Sequence, residues 1–283
     1  MAVRRTPKRG TPNPPLHHPE SVDRLQMLAI LGMHSGGTSV TTGMLQDQGV
    51  DFGEVEDEPT WMQPRGTREH LPLYRLGLDL LHYNGGSWRR PPVRRPLRWT
   101  AEHVAWRNEV LSTYTRSPCG FKDPNTLVLL DFWRDVPLRF IGVIRNPVST
   151  ARSLVWRERR ARHRLGDRIW YLRRRQWQLS FGGSLRLWKI LNRRLLDELR
   201  RAEFPVINFD DKARLGNQVR AALAFHGVAA SRPFSFFEPG VVRHDLPDWR
   251  QALDDREAVA IWDELASHAA KVGSVERTGG RVG

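Results

Sequence analysis

A segment rich in glycine and hydroxyl side chains follows the first apolar run of the chain and has the composition of an anion-binding loop. Small residues at a strand-to-helix turn let successive backbone N–H groups point at one anion, and the following helix adds its positive N-terminal end. Hydroxyl groups in the same turn supply further donors. The candidate ligand-binding residues of this loop are His34, Ser35, Gly36, Gly37, Thr38 and Ser39.

The glycine spacing of residues 32–39 (GMHSGGTS) matches the nucleotide-binding pattern G-x-x-x-x-G-K-S/T, except that Thr38 stands where the lysine belongs. That lysine normally reaches the outer phosphates of a nucleoside triphosphate, so its absence argues against a kinase or an ATPase. Residues 127–131 (LVLLD) resemble a strand that ends in a magnesium-binding aspartate, but the sequence after Asp131 is typical of a helix. A P-loop nucleotide kinase or NTPase remains an alternative.

A second candidate anion site follows another apolar run, residues 138–144 (LRFIGVI). Arg145 comes directly after this run, and Ser153 lies eight residues later, about two turns into a predicted helix. A guanidinium offers a fixed fork of donors that suits a phosphate, and a serine hydroxyl can add another hydrogen bond. The pair therefore predicts a second phosphate clamp.

Together, the two elements resemble the P-loop sulfotransferases, which use 3′-phosphoadenosine 5′-phosphosulfate (PAPS). Residues 28–45 (LAILGMHSGGTSVTTGML) are similar to the family's 5′-phosphosulfate loop, and residues 140–154 (FIGVIRNPVSTARSL) are similar to its 3′-phosphate motif. The resemblance implies that the loop binds the phosphosulfate and that Arg145 and Ser153 hold the 3′-phosphate. It also implies that PAPS is the sulfuryl donor.

Two further segments extend the resemblance. Residues 63–70 (QPRGTREH) are similar to the family's N-P-K-G-Y/F-W-E-D/H segment, and residues 120–124 (GFKDP) to a K-D-P element of its bacterial members. The resemblance implies that Glu69 is the general base, with His70 as the neighbouring alternative. It implies that Lys122, with Thr38 and the loop amides, stabilises the departing adenosine bisphosphate. This chemistry requires no metal.

Ser35 departs from the family pattern, which usually carries Lys or Arg at this loop position. Loss of one charge contact in the transition state costs roughly 2.7–4 kcal/mol, or about 100- to 1000-fold in rate. Lys122, Arg65 or His34 can compensate, and the alternative is a catalytically weakened relative that still binds PAPS. The arginine-rich stretch 157–175 can bind an acidic acceptor or form a solvated helix face.

Strand-like and helix-like periods alternate along the chain, which predicts an α/β fold. We expect a single domain with a central parallel sheet flanked by helices, like that of P-loop NTPases. Predicted strands cover residues 25–31, 138–144 and 204–209. Predicted helices cover residues 38–48, 66–83, 101–116, 149–164, 177–199 (interrupted at Gly182-Gly183), 213–226 and 249–270. We expect a disordered basic arm at 1–23, the domain at 24–271 and a flexible tail at 272–283.

The net charge and the residue composition indicate which classes of ligand and partner the protein can bind. The net charge of +14 favours anionic ligands, and a single cysteine, Cys119, excludes an intramolecular disulfide framework. No recognition helix, zinc finger or RNP-type motif supports a nucleic-acid binder, so charge alone favours that alternative. The sequence has neither a secretory h-region nor an apolar run of about 20 residues, so we expect a cytoplasmic enzyme. The expected partner is a small-molecule or glycan acceptor.

Overall fold

The apolar runs of the chain become strands of one sheet. The computed structural model describes residues 12–60, 64–93, 96–161, 179–237 and 246–272. Within them the strands are β1 (Met27–Leu31), β2 (Cys119–Lys122), β3 (Leu138–Ile144) and β4 (Val206–Asn208). They pair in parallel in the order β2-β1-β3-β4. All four strands therefore end at the same edge of the sheet.

Helices cover both faces of this sheet. They are α1 (Thr38–Asp47), α2 (Leu71–Tyr83), α3 (Ala101–Ser112), α4 (Pro147–Ala161), α5 (Phe181–Arg201), α6 (Leu215–Phe225) and α7 (Arg256–Val272). Met27, Ala29 and Leu31 of β1 belong to the apolar cluster that includes side chains of α2, α3, α5 and α7. Leu28 and Ile30 belong to the opposite cluster, with side chains of α1 and α6. Alternate side chains of a strand point to opposite faces, so β1 is buried on both.

These layers confirm the predicted α/β domain with a central parallel sheet flanked by helices. The strand β2 was absent from the sequence prediction. It is only four residues long and contains Gly120, whose missing side chain allows close approach, because a Cβ there would lie 2.5 Å from the carbonyl oxygen of Leu28. Its extended form depends on pairing with β1, which residue type alone does not signal.

Two of the helix starts that differ from the prediction are explained by capping. The helix expected from residue 66 begins at Leu71, after His70 whose side chain accepts a hydrogen bond from the Leu73 amide. The helix around Gly182-Gly183 begins at Phe181, because Ser180 Oγ accepts from the Gly183 amide at 3.0 Å. The two glycines therefore lie in the first turn of α5 and do not interrupt it.

The remaining helix boundaries also differ from the prediction. The helix expected over 101–116 ends at Ser112, and the helices expected from 213 and 249 begin as short 3₁₀ turns, Lys212–Arg214 and Trp249–Ala252, before α6 and α7. The helix expected over 149–164 begins at Pro147. Residues 162–178, which include most of the arginine-rich stretch, lie outside the described residues.

Residues 13–17 of the segment before β1 form hydrogen bonds with the domain, although we expected a disordered arm over residues 1–23. The backbone carbonyl of His17 accepts from Arg107 and from Asn108 of α3, at 2.8 Å each. Asn13 exchanges hydrogen bonds with the backbone of Leu97 and Trp99. Among the described helices, none combines the length and the apolar composition needed to span a membrane.

Candidate active site

The carboxyl ends of the four strands bring together the residues that the sequence analysis singled out. The glycine-rich loop follows β1, Lys122 ends β2, and Arg145 follows β3. Phe209 and Asp210 follow β4. Ligands of open α/β sheets bind beyond this edge, because the helix N-termini and the loops of several strands converge there.

The loop turns sharply into α1, and its geometry depends on two residues with positive φ. Ser35 has φ 63° and Gly37 has φ 95°. A Cβ on Gly37 would lie 2.3 Å from the Phe209 ring, so this position also requires the absence of a side chain. No side chain caps α1, and its first turn holds no acidic residue. The first amides of this helix are therefore left for a ligand.

Lys122 and Glu69 form a buried ion pair beside the loop. Lys122 Nζ lies 2.9 Å from Glu69 Oε1, 3.1 Å from the carbonyl oxygen of Thr67 and 3.4 Å from Ser39 Oγ. The ammonium thus joins the candidate base to the first turn of α1. Glu69 Oε2 accepts no hydrogen bond from the described residues, so this oxygen can take up a proton.

Arg145 contacts the same loop from the end of β3. Its Nη1 donates to the carbonyl oxygen of Ser35 at 3.3 Å, and its Nε lies 3.8 Å from Asp210 Oδ1. Its guanidinium carbon lies 5.6 Å from the centre of the Phe209 ring. The backbone carbonyl of Arg145 accepts from Trp188 Nε1 at 2.9 Å. Arg145 is thereby fixed against the loop, as a phosphate clamp requires.

The helix α4 adds two residues to this edge. Ser153 is half-buried, and its hydroxyl makes no hydrogen bond to a described residue. Arg157 lies one turn further on, so the two side chains share a helix face. Arg157 Nη1 donates to Ser35 Oγ at 3.3 Å, so this face of α4 is turned to the loop. The sequence analysis placed Arg157 only in an arginine-rich stretch.

His34 lies inside the loop as a buried, stacked ring. It packs on Trp88 with ring centres 4.5 Å apart, and neither ring nitrogen has a hydrogen-bond partner among the described residues. Burial lowers its pKa well below the usual value, and the charges of Arg157, Lys122 and Arg89 lower it further. The imidazole is therefore neutral near pH 7, with one N–H to donate and one nitrogen to accept.

Trp88 and Arg89 were not identified from the sequence. The guanidinium carbon of Arg89 lies 4.3 Å from the centre of the Trp88 ring, on which His34 also packs. Arg89 Nε donates to Glu158 Oε1 at 2.9 Å. These residues belong to a segment between α2 and α3 that has no periodic pattern. Only their contacts with the loop and with α4 reveal them.

Behind Lys122, Asp123 is fully buried. Its Oδ1 accepts from the Asn125 amide at 2.9 Å and from Asn125 Nδ2 at 2.8 Å. Burial, aided by the charge of Glu69, raises its pKa to about 8 against the opposing effect of these hydrogen bonds. Burial and the charge of Glu69 also raise the pKa of Tyr74. Both groups are therefore protonated at neutral pH.

Two residues considered in the sequence analysis contact other parts of the fold. Arg65 Nη1 donates to the carbonyl oxygens of Ser235 and Phe236, so it joins residues 64–70 to the segment after α6. His70, the alternative base, caps α2 and stacks on Tyr114 with ring centres 5.7 Å apart.

The resemblance of residues 127–131 to a magnesium-binding strand is wrong. Asp131 is exposed, lies in the 3₁₀ turn Leu130–Trp133, and has Oδ1 3.7 Å from Arg134 Nε. The described residues contain no group of three or more His, Cys, Asp or Glu side chains that could hold a metal ion.

Comparisons with known proteins do not identify a family by sequence. No protein-family model matches the chain, and no curated protein matches its sequence. Among solved structures, the chain is similar to the sulfotransferase domain from the Synechococcus PCC 7002 olefin synthase. The two share 16% identity over 93% of this chain and 98% of that domain, with a TM-score of 0.44.

Proposed function

We propose that this protein is a sulfotransferase that moves a sulfuryl group from PAPS to a hydroxyl or amine of a small-molecule or glycan acceptor. The observation that carries the proposal is the contact between the two candidate anion sites. Arg145 Nη1 lies 3.3 Å from the carbonyl oxygen of Ser35, so a clamp for one phosphate adjoins a loop for another. This spacing suits a donor with phosphate groups at both its 3′ and 5′ positions.

The residues present fit such a donor. The uncapped N-terminus of α1 and the loop residues His34 to Ser39 would hold the 5′-phosphosulfate, and Arg145 with Ser153 would hold the 3′-phosphate. The two unpartnered ring nitrogens of the buried His34 also point to a ligand, because buried polar atoms are almost always hydrogen-bonded. Lys122 adds a fixed positive charge at Ser39.

The chemistry can be assigned to named groups. PAPS supplies the sulfuryl group: its sulfur bonds to the acceptor oxygen or nitrogen as the bond to the 5′-phosphate oxygen breaks, with that electron pair leaving on adenosine 3′,5′-bisphosphate. Glu69 takes the acceptor's proton on Oε2 while Lys122 holds Oε1. Lys122, Thr38 and the loop amides stabilise the charge that develops on the leaving phosphate.

Calorimetric titration with adenosine 3′,5′-bisphosphate, in the absence of magnesium, tests this proposal. We expect micromolar binding that is lost in Arg145→Ala. The matched control is Arg139→Ala, because Arg139 lies on β3, the strand that Arg145 follows, but is exposed and donates to the carbonyl oxygen of His226. No binding at millimolar ligand, or equal binding by the parent protein and Arg145→Ala, would overturn the proposal.

Further binding experiments on the same protein distinguish the proposed function from its alternatives. Nucleoside triphosphate binding that requires magnesium would identify a P-loop kinase or NTPase. Binding to random duplex DNA with a steep dependence on salt would identify a nucleic-acid binder. Bisphosphate binding without sulfuryl transfer to any acceptor would identify a weakened relative.

A further inference from the structure

Ser35 stands at the loop position where the resemblance leads us to expect a Lys or Arg, and a cation from another element contacts it. Arg157, in the third turn of α4, donates from Nη1 to Ser35 Oγ at 3.3 Å. The two residues are 122 positions apart in the chain. The loop therefore has a positive charge next to it, although none in its own sequence.

Three other cations near the loop are paired with carboxylates. Lys122 lies 2.9 Å from Glu69, the Arg89–Glu158 pair is 2.5 Å apart, and Arg145 lies 3.8 Å from Asp210. Arg157 differs from them, because no carboxylate among the described residues lies within ion-pair distance of it. Among the described residues, Arg157 forms a hydrogen bond only with Ser35.

In the free protein, the partly buried guanidinium of Arg157 carries a charge without a counter-ion, which is unfavourable. Burial lowers the pKa of Arg157, against the opposing effect of the charge of Glu69, yet a guanidinium stays protonated at any physiological pH. A partly desolvated cation without a counter-ion is compensated when an anion binds beside it. The loop at Ser35 and the uncapped start of α1 are where that anion would sit.

We propose that Arg157 replaces the missing loop cation, contacting the phosphosulfate end of the donor and stabilising the charge on the leaving 5′-phosphate. This inference rests on the function proposed above and assigns a further catalytic residue to it. In this arrangement Ser35 Oγ orients the guanidinium, and a hydroxyl is short enough to leave room for it. The neutral, buried His34 lies beside the same cation, whose charge lowers its pKa.

Two ligands separate this role from a structural one. Adenosine 3′,5′-bisphosphate carries the 5′-phosphate, and adenosine 3′-monophosphate lacks it. We expect Arg157→Ala to weaken binding of the bisphosphate by roughly 10- to 100-fold, the value of one charged hydrogen bond, and to leave binding of the monophosphate unchanged. Arg145→Ala should weaken the binding of both ligands. Arg152→Ala is the matched control, because Arg152 is an exposed arginine of the same helix.

A second variant keeps the proposal testable if Arg157→Ala folds poorly. Ser35→Lys returns a cation to the loop itself, and in the Arg157→Ala background it should restore most of the bisphosphate affinity. Arg157→Lys should retain part of it, because the charge remains while the fork is lost. If an acceptor is in hand, kcat should fall about 100- to 1000-fold in Arg157→Ala and recover in the double variant.

The outcomes are distinct. Unchanged bisphosphate affinity in Arg157→Ala, or an equal loss for both ligands, would overturn this role while the proposed function stands. Failure of Ser35→Lys to restore the affinity of a folded Arg157→Ala protein would also overturn it. Absence of bisphosphate binding in the parent protein would overturn the proposed function and this inference together.

Discussion

The Nζ atom of Lys122 lies 2.9 Å from Oε1 of Glu69, although 53 residues separate the two in the chain. Both side chains are buried, and the same ammonium reaches Ser39 at the start of α1. The candidate base and the candidate anion site therefore share one positive charge. Changes to either partner should affect both stability and ligand binding.

Replacing Glu69 by glutamine tests its role as the base. In Glu69→Gln we expect kcat to fall about 100- to 10,000-fold, because the amide cannot accept the acceptor's proton. Affinity for adenosine 3′,5′-bisphosphate should not fall, since a negative charge has been removed from beside an anion site. Steady-state kinetics and calorimetry measure the two effects. Glu109→Gln, at an exposed position of α3, is the control, and equal kcat in both variants would contradict the assignment.

Removing Lys122 should destabilise the fold more than removing both members of the pair. Lys122→Met leaves the Glu69 carboxylate buried without its partner, which costs about 3–5 kcal/mol in buried pairs. The double variant with Glu69→Gln should recover much of this free energy of unfolding. Urea denaturation of the four proteins measures the coupling. Strictly additive losses would show that the ion pair does not couple the two residues.

The buried Asp123 should make stability depend on pH. Its folded-state pKa, about 8, is above the unfolded value of 3.8, so the folded state holds more protons between these values. Its contribution is fully present below about pH 4 and is lost as pH rises towards 8, with a slope of at most about 1.4 kcal/mol per pH unit.

In Asp123→Asn this dependence should disappear, because the amide oxygen can still accept from Asn125 and carries no proton to lose. Urea midpoints measured from pH 4 to pH 9 test this, with the exposed Asp197→Asn as the control. Parallel pH profiles for Asp123→Asn and the parent protein would contradict the prediction.

Comparing alanine variants of two glycines with positive φ separates the effect of loop packing on stability from that of backbone strain. Gly37 has φ 95°, and a Cβ there would lie 2.3 Å from the Phe209 ring, whereas Gly85 has φ 71° and open space where its Cβ would be. Gly85→Ala should cost only the backbone strain, roughly 1–2 kcal/mol. Gly37→Ala should cost more and should abolish bisphosphate binding, because Phe209 or the loop must move. Equal losses of stability in thermal unfolding would contradict this.

Local signals in the sequence are sufficient to predict several elements of the fold. The run at 25–31, the glycine spacing of residues 32–39 and the run at 138–144 predicted β1, the loop and β3, because apolar periodicity and turn residues act on neighbouring positions. The same locality placed Arg145 at a strand end. The parallel sheet flanked by helices followed from the alternation of these elements.

Which side chains these elements bring into contact depends on long-range packing. The strand β2 forms because it pairs with β1. That pairing places Lys122 next to Glu69 and Ser39. The contact of Arg157 with Ser35 depends on how α4 packs beside the loop, across 122 positions of the chain. Local sequence sets backbone preferences, whereas such contacts depend on long-range packing. A cation missing from the loop's own sequence can thus be provided by a distant helix.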